Sequence, residues 1–481
     1  MTIQPAAGVT FDVEMPVVII GAGAAGLVAA LAARGAGAEV LVLERDPLPR
    51  GSTALSAGLV PAAGTRWQRA AGIADSPDRF AADIMAKAHG QPDPALVAAL
   101  TQRCGPVLEW LADAHGLDFS VITDFNYPGH GAHRMHGLPS RSGAELMDRL
   151  LHAAAGAGVE VLCDARVTAL HADMGLGADG PGAAAPAGRR VRGVAYARPD
   201  GGVERVGCGA LVLACNGYGG NPALVARHVP ELASALYFGH PGNQGDALLW
   251  GQALGAQARD LTGHQGHGSV AHPAGILITW ATVTEGGVQV NTDGRRFWDE
   301  AQGYSEAAAH VLRQPGGTAW TVFDARIAGI ARQFEDFRTA EAAGAILAAA
   351  DVPALAAALR VPPAALRAAL AEVAALKASG GTDGFGRRFA GVPALQPPFH
   401  AVRVTGALFH TQGGLAVDGR AAVLDGGGRA FPNLFAAGGA ACGVSGRAAA
   451  GYLSGNGLLA AVALGALAGG SAAGCAGGLT S

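Results

Sequence analysis

Lysine is nearly missing from this sequence: only Lys87 and Lys377 occur, and arginine supplies the rest of the 34 basic residues that face 38 Asp plus Glu. The formal charge is −4, and no block of like charges breaks the balance. A basic nucleic-acid-binding face and a charged interaction tail are both excluded. Charged residues are also scarce, at 15%, while half of the chain is hydrophobic. That ratio excludes disorder for the bulk of the chain and leaves material for a large core. The cysteines (Cys104, Cys163, Cys208, Cys215, Cys442 and Cys475) form no C-x-x-C pair. Neither a zinc ribbon nor a disulfide framework is indicated, and a reduced, cytoplasmic protein is expected. Residues 1–15 contain Asp12 and Glu14 and lack a basic start, so no export signal is expected. The apolar stretch 457–470 is too short to span a bilayer, which predicts a soluble protein without a transmembrane segment. Glycine is abundant, at 74 residues, but has no three-residue period, so collagen is excluded.

The 481 residues suffice for two or three domains. Residues 16–20 form a short apolar run of the buried-strand type, followed by Gly21-Ala22-Gly23-Ala24-Ala25-Gly26, an Ala-rich helix over 27–34 and a second strand over 39–44. This order predicts a βαβ unit with parallel strands. Gly21 would make the tight turn, Gly23 would let backbone approach a pyrophosphate, and Gly26 would permit close helix–strand packing. Glu44, ending the second strand, sits where an acid accepts hydrogen bonds from a ribose, so a dinucleotide site is expected. Residues 65–115 read as mainly helical, 142–157 as an amphipathic helix leading to a strand at 159–163, 172–188 as an exposed loop, and the segment 203–215 as closing with a buried strand over 210–215. Helices are expected over 300–313 and 339–378, with a start at Asp351-Val352-Pro353, and a further one from about Gly455. Strand character returns at 400–409.

Further blocks extend the pattern: Gly51-Ser52-Thr53 through Ser56-Ala57-Gly58, Asn216-Gly217, Gly245-Asp246, Asn291 through Arg296-Phe297-x-x-Glu300, His410-Thr411-x-Gly413-Gly414, and residues 434–438 through Gly455-Asn456. Together with the glycine turn, they resemble the flavoproteins of the fumarate reductase/succinate dehydrogenase superfamily, including the 3-ketosteroid dehydrogenases. The resemblance covers nearly the whole chain. It implies an α/β fold: a Rossmann-like FAD-binding domain of the glutathione-reductase type (1–261 and 410–481) with an inserted α+β cap (262–409). The implied FAD-contacting residues are Gly21, Gly23, Ala24, Ala25, Gly26, Glu44, Arg45, Ser52, Thr53, Ser56, Ala57, Gly58, Val167, Asn216, Gly217, Asp246, Gly438, Gly455, Asn456 and Leu458. A polar small-residue loop can hydrogen-bond flavin edges, and a helix starting near Gly455 can aim its N-terminus at the ring. Covalent attachment in relatives uses a histidine near position 53; Thr53 stands here, so FAD is expected to be non-covalent.

For chemistry the resemblance divides. Fumarate reductases carry a proton-handling Arg shortly after the Arg-Phe-x-x-Glu segment, fed by a Glu/Arg relay, whereas this chain has Tyr304 there, with Trp280 and Val283 in place of the relay. The 3-ketosteroid dehydrogenases instead use a Tyr in this segment to remove the proton α to a ketone, and a C-terminal Tyr to polarise its oxygen. Tyr304 and Tyr452 match those roles, and Tyr127 corresponds loosely to a third Tyr. His410, with Thr411, resembles the carboxylate-binding pair of the reductases, and Arg447 lies in the loop of their substrate-clamping Arg. One of His267 and His272 matches a substrate-binding histidine. His264, His267 and His272, like His130, His133 and His136, lack a helical H-x-x-x-H spacing with a carboxylate, so no metal is expected. The expected activity is an FAD-dependent desaturation α,β to the carbonyl of a cyclic ketone or keto acid, in the manner of the 3-ketosteroid dehydrogenases. The alternative is an ene-reductase of an unsaturated carboxylic acid, as in fumarate reductases. A small-molecule substrate and an electron acceptor of unspecified identity are the expected partners.

Overall fold

The structure is a computed structural model; it describes residues 2–173 and 189–477, so the loop expected over 172–188 lies almost wholly outside the described residues. The contacts divide the chain into two units, one of residues 1–224, 239–264 and 410–481, the other of 225–238 and 265–409.

The first unit is built on a nine-stranded sheet with the strand Val13–Ile20 in its interior. Val17, Val18 and Ile19 are wholly buried, as an unbroken apolar run between parallel neighbours requires. That strand pairs in parallel with Val40–Leu43 on one side and Val203–Leu213 on the other. The helix Ala24–Gly35 follows the glycine turn. Its C-terminal counterpart, Asn456–Gly477, lies against it so closely that a Cβ on Gly465 or Gly469 would sit 2.6 Å and 2.0 Å from the carbonyl oxygens of Ala25 and Ala29. Only glycine permits that approach of two backbones. The C-terminal helix is longer than the apolar stretch read from the sequence: its apolar part, Asn456–Ala476, has the length and composition to cross a membrane, yet 67% of the most apolar window is buried inside the protein. It thus serves as a core helix packed on Ala24–Gly35.

The second unit holds a seven-stranded sheet centred on Phe399–Thr411, which pairs antiparallel with Thr318–Asp324 from Thr405↔Thr318 to Phe399↔Asp324. Residues 225–238, read from sequence as part of the dinucleotide domain, belong here because Leu236 and Tyr237 pair with Ala407 and Leu408. The expected helical region 339–378 is interrupted: Ile346–Ala349 forms a strand against residues 399–402, so cross-strand pairing overrides the helix preference of its alanines. The helix after it starts as its sequence predicts, with the Asp351 carboxylate accepting from the Ala354 N–H at 2.8 Å and Pro353 in the first turn.

Arg296, Glu300, Asp383 and Arg387 form a buried ion cluster in this unit. Glu300 is fully buried and accepts from Arg296 Nε at 3.0 Å, Arg387 at 3.0 Å and the Gln289 N–H at 2.9 Å, while Asp383 pairs with Arg296. Two guanidinia are thereby balanced by two carboxylates.

Candidate active site

The candidate cofactor residues all fall on the first unit. Gly21 turns the chain at φ +101°, and a Cβ on Gly26 would lie 1.9 Å from the Gly21 carbonyl oxygen, so the turn and the helix meet backbone to backbone. Gly23 faces open space: a Cβ there would meet only Thr53 Oγ1, at 3.5 Å. The Ala24 N–H donates to Thr53 Oγ1 at 3.1 Å, and Ala25 opens the same helix. Glu44, buried at the strand end, accepts from the N–H groups of Ala22 (2.8 Å) and Asp46 (3.0 Å), while Arg45 reaches the Gly242 carbonyl. In the 51–58 loop, Ser52 Oγ accepts from Asn243 Nδ2, Ser56 Oγ donates to the Thr53 carbonyl, Ala57 is exposed, and Gly58 at φ +65° lies against Ser142. Val167 is a buried sheet residue. Asn216, at φ +63°, accepts on its own amide from the Gly217 N–H, and Gly438 takes φ +60°. Leu458 is partly exposed in the first turn of the C-terminal helix.

Among the described residues of this unit, two buried side-chain oxygens have no hydrogen-bond partner, Asp246 Oδ1 and Asn456 Oδ1. Buried acceptors left open are costly, and each is suited to a polar ligand that brings a donor. Burial also raises the Asp246 carboxyl above the usual carboxylate range. The open face at Gly23, the helix N-terminus that follows it and these two oxygens fit a large dinucleotide.

At the start of the C-terminal helix a second group gathers. The N–H groups of Gly455 and Gly457 point at the buried Tyr452 hydroxyl, and burial pushes its pKa well above the ordinary phenol value. The ring therefore stays protonated and able to donate. His410 packs edge-on against Tyr452 with ring centroids 5.5 Å apart, and burial lowers its pKa to about 4. The imidazole is therefore neutral at ordinary pH. Tyr127, half-buried and packed on Phe125, is close enough to influence Tyr452 electrostatically. Arg447 is elsewhere on this unit, with an exposed side chain paired to Asp260 at 3.2 Å.

Tyr304 belongs to the second unit, as the first residue of the helix Tyr304–Leu312. Its ring stacks on His267 with centroids 4.9 Å apart, and His267 stacks in turn on Phe409 at 5.3 Å. His267 is buried and its pKa falls to about 3, while His272 is exposed on a turn, so His267 is the histidine of the pair built into the aromatic cluster. Trp280 and Val283 lie in the same apolar cluster as Trp298, with Tyr304 packed against it. The histidines of the other set are tied to protein groups, His130 to the Ser454 carbonyl, His133 to that of Phe125, and His136 to Thr65 and the Arg134 carbonyl. Gln412 and Ser445, which touch the His410 side of the site, were not singled out in the sequence. Gln412 lies just past the strand that ends at Thr411, two residues after His410, so strand alternation does not point to it and only the fold shows that it meets the His410 ring.

Residues 16–458 match a family model described as FAD binding domain. A probable fumarate reductase of Shewanella frigidimarina is 31% identical over 462 residues, covering 95% of this chain and 74% of that protein. The 4-oxocyclohexanecarboxylate 2-dehydrogenase of Sinomonas cyclohexanicum is 28% identical, covering 90% of this chain and 88% of its own. The crystal structure of 3-ketosteroid-Δ4-(5α)-dehydrogenase from Rhodococcus jostii RHA1 matches with a TM-score of 0.75 and 25% identity, over 98% of this chain and 99% of that one.

Proposed function

The chain belongs to the FAD-binding family that it shares with these flavoproteins, it binds FAD and is an oxidoreductase of CH–CH groups, and from that premise we propose that it desaturates a cyclic keto acid α,β to its ketone. FAD supplies the two-electron acceptor for the departing β hydride. Tyr304 takes the α proton as its phenolate. Tyr452 donates a hydrogen bond to the ketone oxygen, which becomes the enolate oxygen as that proton leaves. The Gly455 and Gly457 N–H groups hold the Tyr452 oxygen in place. His410 binds the carboxylate as a neutral donor.

The single observation that carries this reading is a set of two side-chain donors at the start of the C-terminal helix, the Tyr452 phenol that burial keeps protonated and the neutral His410 ring packed edge-on to it. Such a set matches an oxygen that gains negative charge. The name of the Sinomonas relative, a dehydrogenase of a six-membered ring bearing both ketone and carboxylate, agrees with it.

The second reading, reduction of an unsaturated acid, is favoured by the 31% identity to a probable fumarate reductase. Against it, Trp280 and Val283 are apolar and packed where a proton relay would need ionisable groups, and Arg296 and Arg387 are committed to Glu300 and Asp383. Anaerobic mixing separates the two. Saturated 4-oxocyclohexanecarboxylate is expected to bleach the oxidised flavin, and fumarate to leave the reduced flavin unchanged. Rapid reoxidation by fumarate, with no bleaching by ring ketones, would replace the first reading with the second.

A further inference from the structure

Four side chains of the first unit form a directional chain. Asn456 Nδ2 donates to Ser445 Oγ at 3.0 Å, Ser445 Oγ donates to Gln412 Oε1 at 2.7 Å, and Gln412 Nε2 lies 2.7 Å from His410 Nδ1. Asn456 and Ser445 are wholly buried and Gln412 nearly so, which leaves bulk water little part in these bonds. A hydroxyl has one proton to give. With Asn456 donating to it, Ser445 spends that proton on Gln412, the amide oxygen of Gln412 is fixed toward Ser445, and its NH2 faces the imidazole. An NH2 can approach Nδ1 only where Nδ1 carries a lone pair, so in the neutral ring the proton sits on Nε2. Reversing the chain would turn both amides over and leave the Asn456 NH2, in place of its oxygen, without a partner in the interior. Buried orphan N–H groups are rarer than under-satisfied oxygens, so the observed polarity is the favoured one.

We propose that Gln412, oriented by Asn456 through Ser445, is a positioning residue that locks His410 as the Nε2–H tautomer and so presents a donor to a substrate oxygen. The proposal rests on the reading above for what that oxygen is, a carboxylate. Nε2 lies beside the start of the C-terminal helix: a Cβ on Gly457 would be 3.1 Å from it. The donor thus joins the N–H groups of that turn and the Tyr452 hydroxyl. The rival arrangement places the proton on Nδ1, with the Thr411 carbonyl, which also faces the ring, as its acceptor.

The test is a long-range ¹H–¹⁵N spectrum of the FAD-loaded enzyme labelled at histidine nitrogens, with the His410 signals identified by their loss in His410→Gln. The parent is expected to show Nε2 protonated. Gln412→Glu replaces the donor with an acceptor and is expected to move the proton to Nδ1. Gln412→Met removes the donor and is expected to give a mixture, as is Ser445→Ala, where Gln412 is free to turn over. Flavin content and melting temperature establish that each variant is folded. A parent proton on Nδ1, or a tautomer that ignores Gln412→Met and Gln412→Glu alike, would overturn the positioning role whatever the enzyme acts on. The KM then tests the reading beneath it: in Gln412→Glu, where the Nε2 donor is lost, KM for the keto acid is expected to rise about tenfold, the loss of one hydrogen bond, and in Gln412→Met about twofold, as the donor tautomer is diluted, with kcat within about twofold and cyclohexanone unaffected. A tautomer that shifts as expected while both KM values stay unchanged would uphold the lock and overturn the carboxylate assignment.

Discussion

Replacing Tyr304 by Phe removes one oxygen and little else. The ring heads the helix Tyr304–Leu312 and stacks on His267 at 4.9 Å, a contact that Phe keeps. The fold is therefore expected to hold, with flavin content and melting temperature close to the parent's. The chemistry is not. A positioned base contributes ~10²–10⁴ in rate, which at about 1.4 kcal/mol per decade is roughly 3–5 kcal/mol of barrier. The assay is anaerobic rapid mixing of oxidised enzyme with a saturated cyclic keto acid, following loss of flavin absorbance in a single turnover. In the parent the rate is expected to climb with pH, because a phenol removes a proton only as phenolate. The Phe variant is expected to lose at least a hundredfold in rate and the pH slope with it. Bleaching within about threefold of the parent, or an unaltered slope, would remove Tyr304 from the mechanism.

Three further outcomes follow from the packing and the buried charges. Gly26→Ala places a Cβ 1.9 Å from a backbone oxygen of the turn and is expected to abolish FAD retention on gel filtration, whereas Gly23→Ala meets only a threonine hydroxyl and is expected to fold while binding FAD more weakly. Glu300→Ala strands Arg296 and Arg387 without their shared carboxylate and is expected to cost about 3–5 kcal/mol in urea unfolding; a loss under about 1 kcal/mol would show that the cluster is not the support it resembles. His130 and His136 are both depressed to about 4 by burial. Above pH ~6.5 both folded and unfolded chains hold these rings neutral; below it the unfolded chain binds protons that the folded one refuses, so stability falls as pH drops from ~6.5 toward about 4, by roughly 3 kcal/mol per ring at the end of that window. His136→Asn is expected to flatten the slope of urea midpoint against pH in that window and nowhere above it.

What the sequence disclosed, and what it withheld, divides by the distance over which residues act. The nucleotide turn is local: Gly21 needs its positive φ, Gly26 needs to have no side chain, and the flanking apolar run is long enough to be a buried strand, so six consecutive residues carry the whole message. The Asp351 cap is local in the same sense. The strand at 346–349 could not be read, because its alanines favour helix and only the partner at 399–402 draws them into a sheet. Likewise, Ser445 lies 33 residues from Gln412 and 11 from Asn456 along the chain, and nothing in either interval signals that the three meet.

The same division bears on which motif residues speak of chemistry. Arg296-Phe297-x-x-Glu300 is among the blocks that carry the family resemblance, yet Arg296 and Glu300 are spent on one buried ion cluster with Arg387 and Asp383. Charges balanced that tightly have to be kept together, since removing one partner strands the others. Such a block identifies the fold and is mute about the reaction. The positions around it carry the chemical information because they are free of that constraint. Tyr304 and Trp280 both pack on the His267 ring, and Val283 lies in the apolar cluster with them, so a phenol is set among aromatic and aliphatic side chains. A carboxylate or guanidinium at 280 or 283 would need a buried counter-charge, and the nearby Arg296, Arg387, Glu300 and Asp383 are already paired with one another. Converting this chain to a fumarate-type proton relay by Trp280 and Val283 substitutions alone is therefore expected to destabilise the unit before it changes the reaction, because two new charges would enter an apolar cluster with no partner built to receive them.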